Sequence, residues 1–294
     1  MARILDGKLV RDHILSEIKP RAAVLTRAPG LAAVLVGHNP ASEIYVRNKV
    51  KACEELGFYS EKITPPDSVT TPQLLHLIAQ LNQRDEIDGI LVQMPLPTHV
   101  DSRAVLTAIR PDKDVDGFHP LNVGNLVANI PAPQPCTPAG VIRLLQFYEI
   151  PISGQHAVVV GRSDIVGKPM ALLLLHQNAT VTICHSRTPD LAAECRRADI
   201  LVAALGRPAF LTADFIKPGA TVVDVGINRL NTPEEQAAIF GPDAKPRAII
   251  GDVHPVQVEQ AAGSYTPVPG GVGPLTIAML MSNTMNAAVA HQNA

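Results

Sequence analysis

Two hydrophobic rhythms alternate along the chain. Short apolar runs, LAAVLVG and GILVQMP in the first half and HAVVVG, ATVTICH, ADILVAALG and ATVVDVG in the second, have the length of buried strands. Between them, TPQLLHLIAQLN and SRAVLTAIR carry apolar residues at helical spacing. Strands and helices taking turns predict parallel β/α units, and the second series has the segment lengths of a doubly wound sheet. A proline-rich passage, NIPAPQPCTP (129–138), interrupts the rhythm; Gly140 to Tyr148 then reads as a helix, so the cut between two domains is expected near residues 130–150. The closing segment LTIAMLMSNTMNAAVA is helical in pattern and is expected to pack back on the first domain. NTPEEQAAIFGPDAKP (231–246) reads as a surface excursion.

One amphipathic segment contains a misfit. In YVRNKVKACEELGF (45–58), at about 100° per residue, Tyr45, Val46, Val50, Ala52, Cys53 and Leu56 share one arc. Arg47, Asn48, Lys51, Glu54 and Glu55 share the other. Lys49 falls inside the apolar arc, and the helix register is well anchored, with Asn39 as cap, Pro40 at the first position and Gly57 after the last turn. Two readings remain open at this level. The lysine stem lies over the core and its ammonium reaches water, or the ammonium faces a pocket in which burial tunes it for proton transfer.

Composition narrows the classes of function. The chain has 294 residues, 46% of them hydrophobic, enough for two domains with cores. Its 25 Lys plus Arg against 27 Asp plus Glu leave no positive excess to draw nucleic acid or an anionic membrane. No apolar run reaches the roughly 20 residues of a membrane span, and MARILDGKLVRDHI is charged where a signal peptide would be apolar, which points to the cytoplasm. The four cysteines stand far apart and the ten histidines are scattered, so neither a disulfide framework nor a metal site is indicated.

VVVGRSDIVGKP follows a strand and opens a helix, as a dinucleotide-binding turn must, although Ser163 and Val166 stand where the generic fingerprint has glycines. A plain strand-to-helix turn therefore stays open from the glycines alone. Gly161 permits the tight turn, and the helix terminus favours a phosphate. The end of the next strand reads CHSRT, with Ser186 and Arg187 where an NAD-binding domain places an acid. Together with Arg162 these offer donors for a 2′-phosphate, which favours NADP.

In the first domain Gln93 follows an apolar strand, and PDKDVDGFHPLNVG sets Asp112, Asp114 and Asp116 in a glycine-ended loop, where carboxylates are commonly turn formers. TPVPGGVGPLT combines prolines and glycines before the last helix. It serves as a rigid connection, as backbone kept bare for a flat ligand, or as both.

Taken in order, YVRNKVKACEELG, DGILVQMPLP, PDKDVDGFHPLNVG, PCTPAG, VVVGRSDIVGKP, TVTICHSRT, DVGIN and TPVPGGVGP resemble the bifunctional methylenetetrahydrofolate dehydrogenase/methenyltetrahydrofolate cyclohydrolase family over essentially the whole chain. The resemblance implies an α/β fold of two domains with the active-site cleft between them. Residues 1–138 and 275–294 would form a folate-binding catalytic domain, and 139–274 a Rossmann-like NADP-binding domain. It implies oxidation of 5,10-methylenetetrahydrofolate by NADP and hydrolysis of the methenyl product to 10-formyltetrahydrofolate. By the same resemblance, Lys49 is the central cyclohydrolase residue, Tyr45 lies against folate, Gln93 stands beside the lysine and Asp116 contacts the pterin. Pro269, Gly270 and Gly271 match the loop beside folate and nicotinamide, and Gly161, Arg162, Ser163, Ser186 and Ile227 match cofactor positions. It further implies a homodimer formed through the cofactor domain, with tetrahydrofolate derivatives as the ligands. The excursion after Arg229 looks longer than is usual for the family. Two rivals are a dehydrogenase-only member, which assays of NADPH formation and of methenyl hydrolysis separate, and a non-catalytic NADP sensor, which would turn over no folate.

Overall fold

The computed structural model describes residues 2–241 and 248–293. In chain order the first half carries β1 (Arg3–Ile4), α1 (Gly7–Ala22), β2 (Gly30–Val34), α2 (Pro40–Leu56), β3 (Tyr59–Ile63), α3 (Thr71–Asn82), β4 (Gly89–Val92), α4 (Ser102–Ala108) and α5 (Pro120–Val127). There follow α6 (Cys136–Phe147), β5 (His156–Val160), α7 (Gly167–His176), β6 (Thr180–Cys184), α8 (Leu191–Cys195), β7 (Ile200–Ala203) and β8 (Thr221–Asp224). The chain ends with β9 (Asn228–Arg229), α9 (Pro233–Phe240), β10 (Ile249–Ile250), α10 (Pro255–Ala261), β11 (Ser264–Tyr265) and α11 (Val272–Gln292).

These elements form two compact units, one of residues 12–136 and 277–294, the other of residues 1–11 and 137–276. The first holds a three-stranded parallel sheet in the order β3-β2-β4. Strand β2, GLAAV, is central and buried at every position, which is why it reads as a continuous apolar run. Beside it, α3 begins at a capping box in which Thr70 and Gln73 satisfy each other's backbone N–H groups, and Leu74, Ile78 and Leu81 enter the core. The buried Asp88 carboxylate pairs with Arg27, accepts from the Gly30 N–H and meets the His291 ring at 3.0 Å, tying the end of α11 to the start of β2.

The second unit is built on a six-stranded sheet, β1-β11-β8-β7-β5-β6, with every neighbouring pair parallel. From β5 the chain adds β6 on one side and then β7 on the other. That reversal opens a crevice at the carboxyl ends of β5 and β7, where doubly wound sheets bind ligands.

The structure differs from the sequence reading in five places. Residues 1–11 belong with the second unit's sheet, because Arg3 and Ile4 pair with Ser264 and Tyr265 and the Asp6 N–H donates to the Tyr148 hydroxyl. A two-residue strand carries no readable periodicity. Helix α6 begins inside the proline-rich passage, at Cys136, and α11 begins inside the Pro-Gly cluster, at Val272. The segment 231–246 is not plain loop: α9 occupies most of it, started by a Thr232–Glu235 capping box, and residues 242–247 lie outside the described residues. Tyr45 leaves the apolar arc of α2 and is 39% exposed.

Candidate functional site

The misfit on α2 is resolved by burial. Lys49 is only 7% exposed, among the buried Val46, Ala52, Cys53 and Leu56, so its ammonium does not reach water along the surface. Its Nζ donates to Gln93 Oε1 at 3.1 Å. Gln93 stands one residue beyond β4, yet its backbone N–H still donates to Val34 O at 2.9 Å, so the sheet ladder fixes where its side chain begins. The Gln93 amide nitrogen donates to Met94 O at 2.8 Å, which leaves the oxygen facing the lysine. Asn39 caps α2 as expected, accepting the Ser42 N–H.

The three aspartates of the following loop divide by role. Asp112 pairs with Arg110 and His291. The buried Asp114 accepts the N–H groups of Gly117 and His119 and the Asn122 amide, and so builds the turn itself. Asp116 accepts no hydrogen bond from any described residue. Burial lifts its carboxyl to about 6, against the pull of the Lys49 ammonium and with a push from Asp114. A half-buried carboxyl with an open acceptor near a held ammonium can orient a ligand's N–H groups while the amine handles protons.

In the other unit, Gly161 follows β5 with φ +137°, and a Cβ there would run into the Ala204 carbonyl. Ser163 Oγ accepts the N–H groups of Val166 and Gly167 at the start of α7, leaving its hydroxyl hydrogen for an acceptor outside. Val160 and Cys184 are register partners, so Arg162 and Ser163 leave the sheet beside Ser186 and Arg187, and all four are exposed. Ile227 follows β8, 50% exposed, and Thr266 to Gly271 follow β11, which runs parallel to β8. Gly270 has φ +109°, and Gly271 has no room for a Cβ against Pro267 O and Thr266. These groups therefore share the carboxyl edge of one sheet. Hydroxyls, guanidiniums and a helix N-terminus, with no acid in residues 185–188 directly after β6, fit a dinucleotide carrying a 2′-phosphate.

Family models match both halves of the chain. Residues 5–116 match the tetrahydrofolate dehydrogenase/cyclohydrolase catalytic domain and residues 135–292 its NAD(P)-binding domain. The chain belongs to the tetrahydrofolate dehydrogenase/cyclohydrolase family. It is similar to the bifunctional protein FolD of Solibacter usitatus, at 63% identity over 98% of each chain, and to that of Koribacter versatilis, at 59% identity. Among solved structures it resembles the bifunctional FolD of Campylobacter jejuni, at 44% identity and TM-score 0.91 over 99% of each chain. It also resembles the Trypanosoma brucei N5,N10-methylenetetrahydrofolate dehydrogenase-cyclohydrolase complexed with NADP and an inhibitor, at 38% identity and TM-score 0.91, covering 100% of this chain and 99% of that one.

In this family member the structure gathers Lys49, Gln93 and Asp116 in one unit and Gly161, Arg162, Ser163, Ser186, Ile227 and Pro269–Gly271 in the other. Three supporting residues escaped the sequence reading. Asp114 was indistinguishable from its neighbours. Asp252, fully buried, accepts the N–H groups of Leu205, Gly206 and Arg207 and orders the loop after β7. Asn283 interrupts an apolar helix, the same kind of signal that singled out Lys49.

The Asp116 carboxyl has a consequence for stability. An unfolded aspartate loses its proton near pH 4, roughly, whereas the folded one loses it at about 6, so ionisation opposes folding as pH rises through that window. Asp116→Asn is expected to match the parent at pH 4 and to be more stable than it at pH 7. Urea unfolding at both pH values measures this, and equal stability of the two proteins at pH 7 would contradict it.

Proposed function

We propose that this chain oxidises 5,10-methylenetetrahydrofolate to the 5,10-methenyl compound with NADP and hydrolyses that product to 10-formyltetrahydrofolate, with Lys49, Gln93, Tyr45 and Asp116 serving the folate. The observation that carries the reading is the partly buried Lys49–Gln93 hydrogen bond in the same unit as Asp116, whose carboxyl accepts no hydrogen bond from a described residue. The printed names of the relatives, bifunctional FolD and a dehydrogenase-cyclohydrolase with NADP, support the same pair of reactions.

Asp116 accepts from the amino-pyrimidine edge of the pterin and fixes its orientation. Tyr45, exposed one turn before Lys49, lays its ring against the folate. Bound NADP supplies the acceptor for the hydride leaving the methylene carbon. That step demands placement more than acid or base strength, and the bare backbone of Pro269–Gly271 with Ile227 provides a close-fitting wall for flat rings. Arg162, Ser163 and Ser186 hold the cofactor's phosphates. Hydrolysis demands more: water adds to the methenyl carbon, and protons must move from that water to the ring nitrogen that leaves. Lys49 is the group for this transfer. Its hydrogen bond goes to the Gln93 amide oxygen, which aims Nζ. A dehydrogenase-only enzyme has no use for that pair.

Strand β6 ends the six-stranded sheet, with Ile183 43% exposed on it and Leu175 55% exposed nearby in sequence on α7. An open apolar edge of this kind supports pairing with a second copy. Sedimentation should give a dimer mass for the parent and a shift towards monomer for Ile183→Lys; a monomeric parent at micromolar concentration would refute the pairing.

Lys49→Ala is expected to slow methenyl hydrolysis by at least about 100-fold, the range of general acid–base catalysis, while NADP affinity stays near that of the parent. Hydrolysis at the parental rate would remove Lys49 from its assigned role. Arg162→Ala combined with Ser186→Ala is expected to raise the Michaelis constant for NADP by about tenfold or more, the value of lost charge-assisted hydrogen bonds, with residual NAD activity little changed. Equal losses with NADP and NAD would sink the 2′-phosphate assignment.

A further inference from the structure

Asn283 lies on α11 and is 7% exposed, in a run whose neighbours Leu280, Met281 and Met285 are fully buried. A polar amide costs free energy at such a site unless its donors are used. They are used, on two carbonyls from different segments. The Nδ2 group donates to Val115 O at 2.9 Å and to Gln134 O at 2.9 Å, and it lies 3.6 Å from Cys136 Sγ. Cys136 in turn donates its thiol hydrogen to the same Val115 carbonyl at 3.3 Å. One side chain thus joins the peptide immediately before Asp116 to the segment entering α6. The turn has no slack: Gly117 sits at φ +75°, and a Cβ on it would collide with the Gln134 carbonyl carbon. The Val115 side chain is fully buried and packs on Gly89 at the start of β4. Asp114 orders the turn from its far side, through Gly117 and His119.

These contacts hold the main chain on both sides of Asp116, while the Asp116 carboxyl itself accepts no hydrogen bond from any described residue. An acceptor that must meet a ligand's donors gains from having its backbone fixed in advance, because the ligand then need not supply the ordering entropy. We propose that Asn283 is a positioning residue for the folate site: its amide clamps the Val115–Gly117 turn and so sets the direction of the Asp116 carboxyl. This rests on the assignment of Asp116 to the pterin made above.

The test is a double-mutant cycle on the full-length protein, using Asn283→Leu, Asp116→Ala and the pair. Leucine keeps the branching and heavy-atom count of asparagine and removes both donors. The expected result is a rise of about tenfold in the Michaelis constant for the folate substrate in both reactions, the equivalent of about one net hydrogen bond. The dissociation constant for NADP should stay within about twofold of the parent's. In the Asp116→Ala background, Asn283→Leu should cost nothing further, because the group it positions has gone. Equal losses in both backgrounds would mean that Asn283 serves general stability and would overturn the inference. So would an unchanged Michaelis constant in the folded single variant. If Asp116→Ala alone leaves the folate constant unchanged, the pterin assignment fails first and the inference goes with it. Should Asn283→Leu not yield folded protein, Asn283→Ser, which is smaller and keeps one donor, goes through the same cycle.

Discussion

A largely buried lysine on an apolar helix face is the constraint around which the folate unit is organised. Lys49 can stay in that position only if something accepts its hydrogens, and the acceptor is Gln93. Gln93 is held in turn by the β2–β4 ladder, which continues one residue past the end of the strand through Val34 O. The ladder depends on a central strand buried at every position. Moving β4 by one residue would turn Gln93 to the other face of the sheet and leave the lysine without its partner. The apolar core and the polar pair are thus one structural commitment, and the register that buries Ile90 and Val92 also aims the glutamine.

The cofactor unit follows a different rule. Its candidate groups come from several loops, and what unites them is strand direction. Because β5, β6, β8 and β11 all run the same way, Gly161, Ser186, Ile227 and Gly270 each emerge at the same sheet edge, although more than 100 residues separate the first from the last. Asp252 orders the loop after β7 at that edge by accepting three consecutive N–H groups. A parallel sheet converts a scattered set of sequence positions into a line of neighbours.

This difference explains what could be read from the sequence. The parallel β/α alternation, the strand-to-helix turn at Gly161 and the lysine out of pattern are local signals, with the periodicity or the anomaly contained within about a dozen residues. Pairing of Arg3–Ile4 with Ser264–Tyr265 is not local, and a two-residue strand has no period to detect, so the packing of the first eleven residues with the second unit's sheet is not legible in the sequence. Helix α9 was legible in principle, since TPEE carries a capping box, but the polar composition around it suggested loop. The aspartates of the 112–116 loop could not be ranked at all. Their roles depend on whether Gly117, His119, Asn122, Arg110 and His291 reach them, and that is a property of the folded turn.

Buried carboxyl groups make the remaining distinction. Burial alone would raise Asp88, yet Arg27, the Gly30 N–H and His291 together hold it below the usual carboxylate range, as suits a group that ties elements together. Asp224 is raised to about 7 by burial even though it accepts the N–H groups of Gly226, Asp252 and Val253, so its hydrogen bonds serve the backbone around it. Asp116, half-buried, is also raised, but it accepts no such bond from a described residue, and among the described residues it is the charge of Lys49 that favours its ionised form. A fold selected for stability alone would pair that carboxyl or replace it with an amide. Keeping it unpaired is unfavourable without a ligand and favourable with one that brings N–H donors, because each donor then meets an acceptor that no protein group has to give up. The unsatisfied group is therefore informative: among the aspartates of its loop it is the one whose chemistry is completed only from outside the chain.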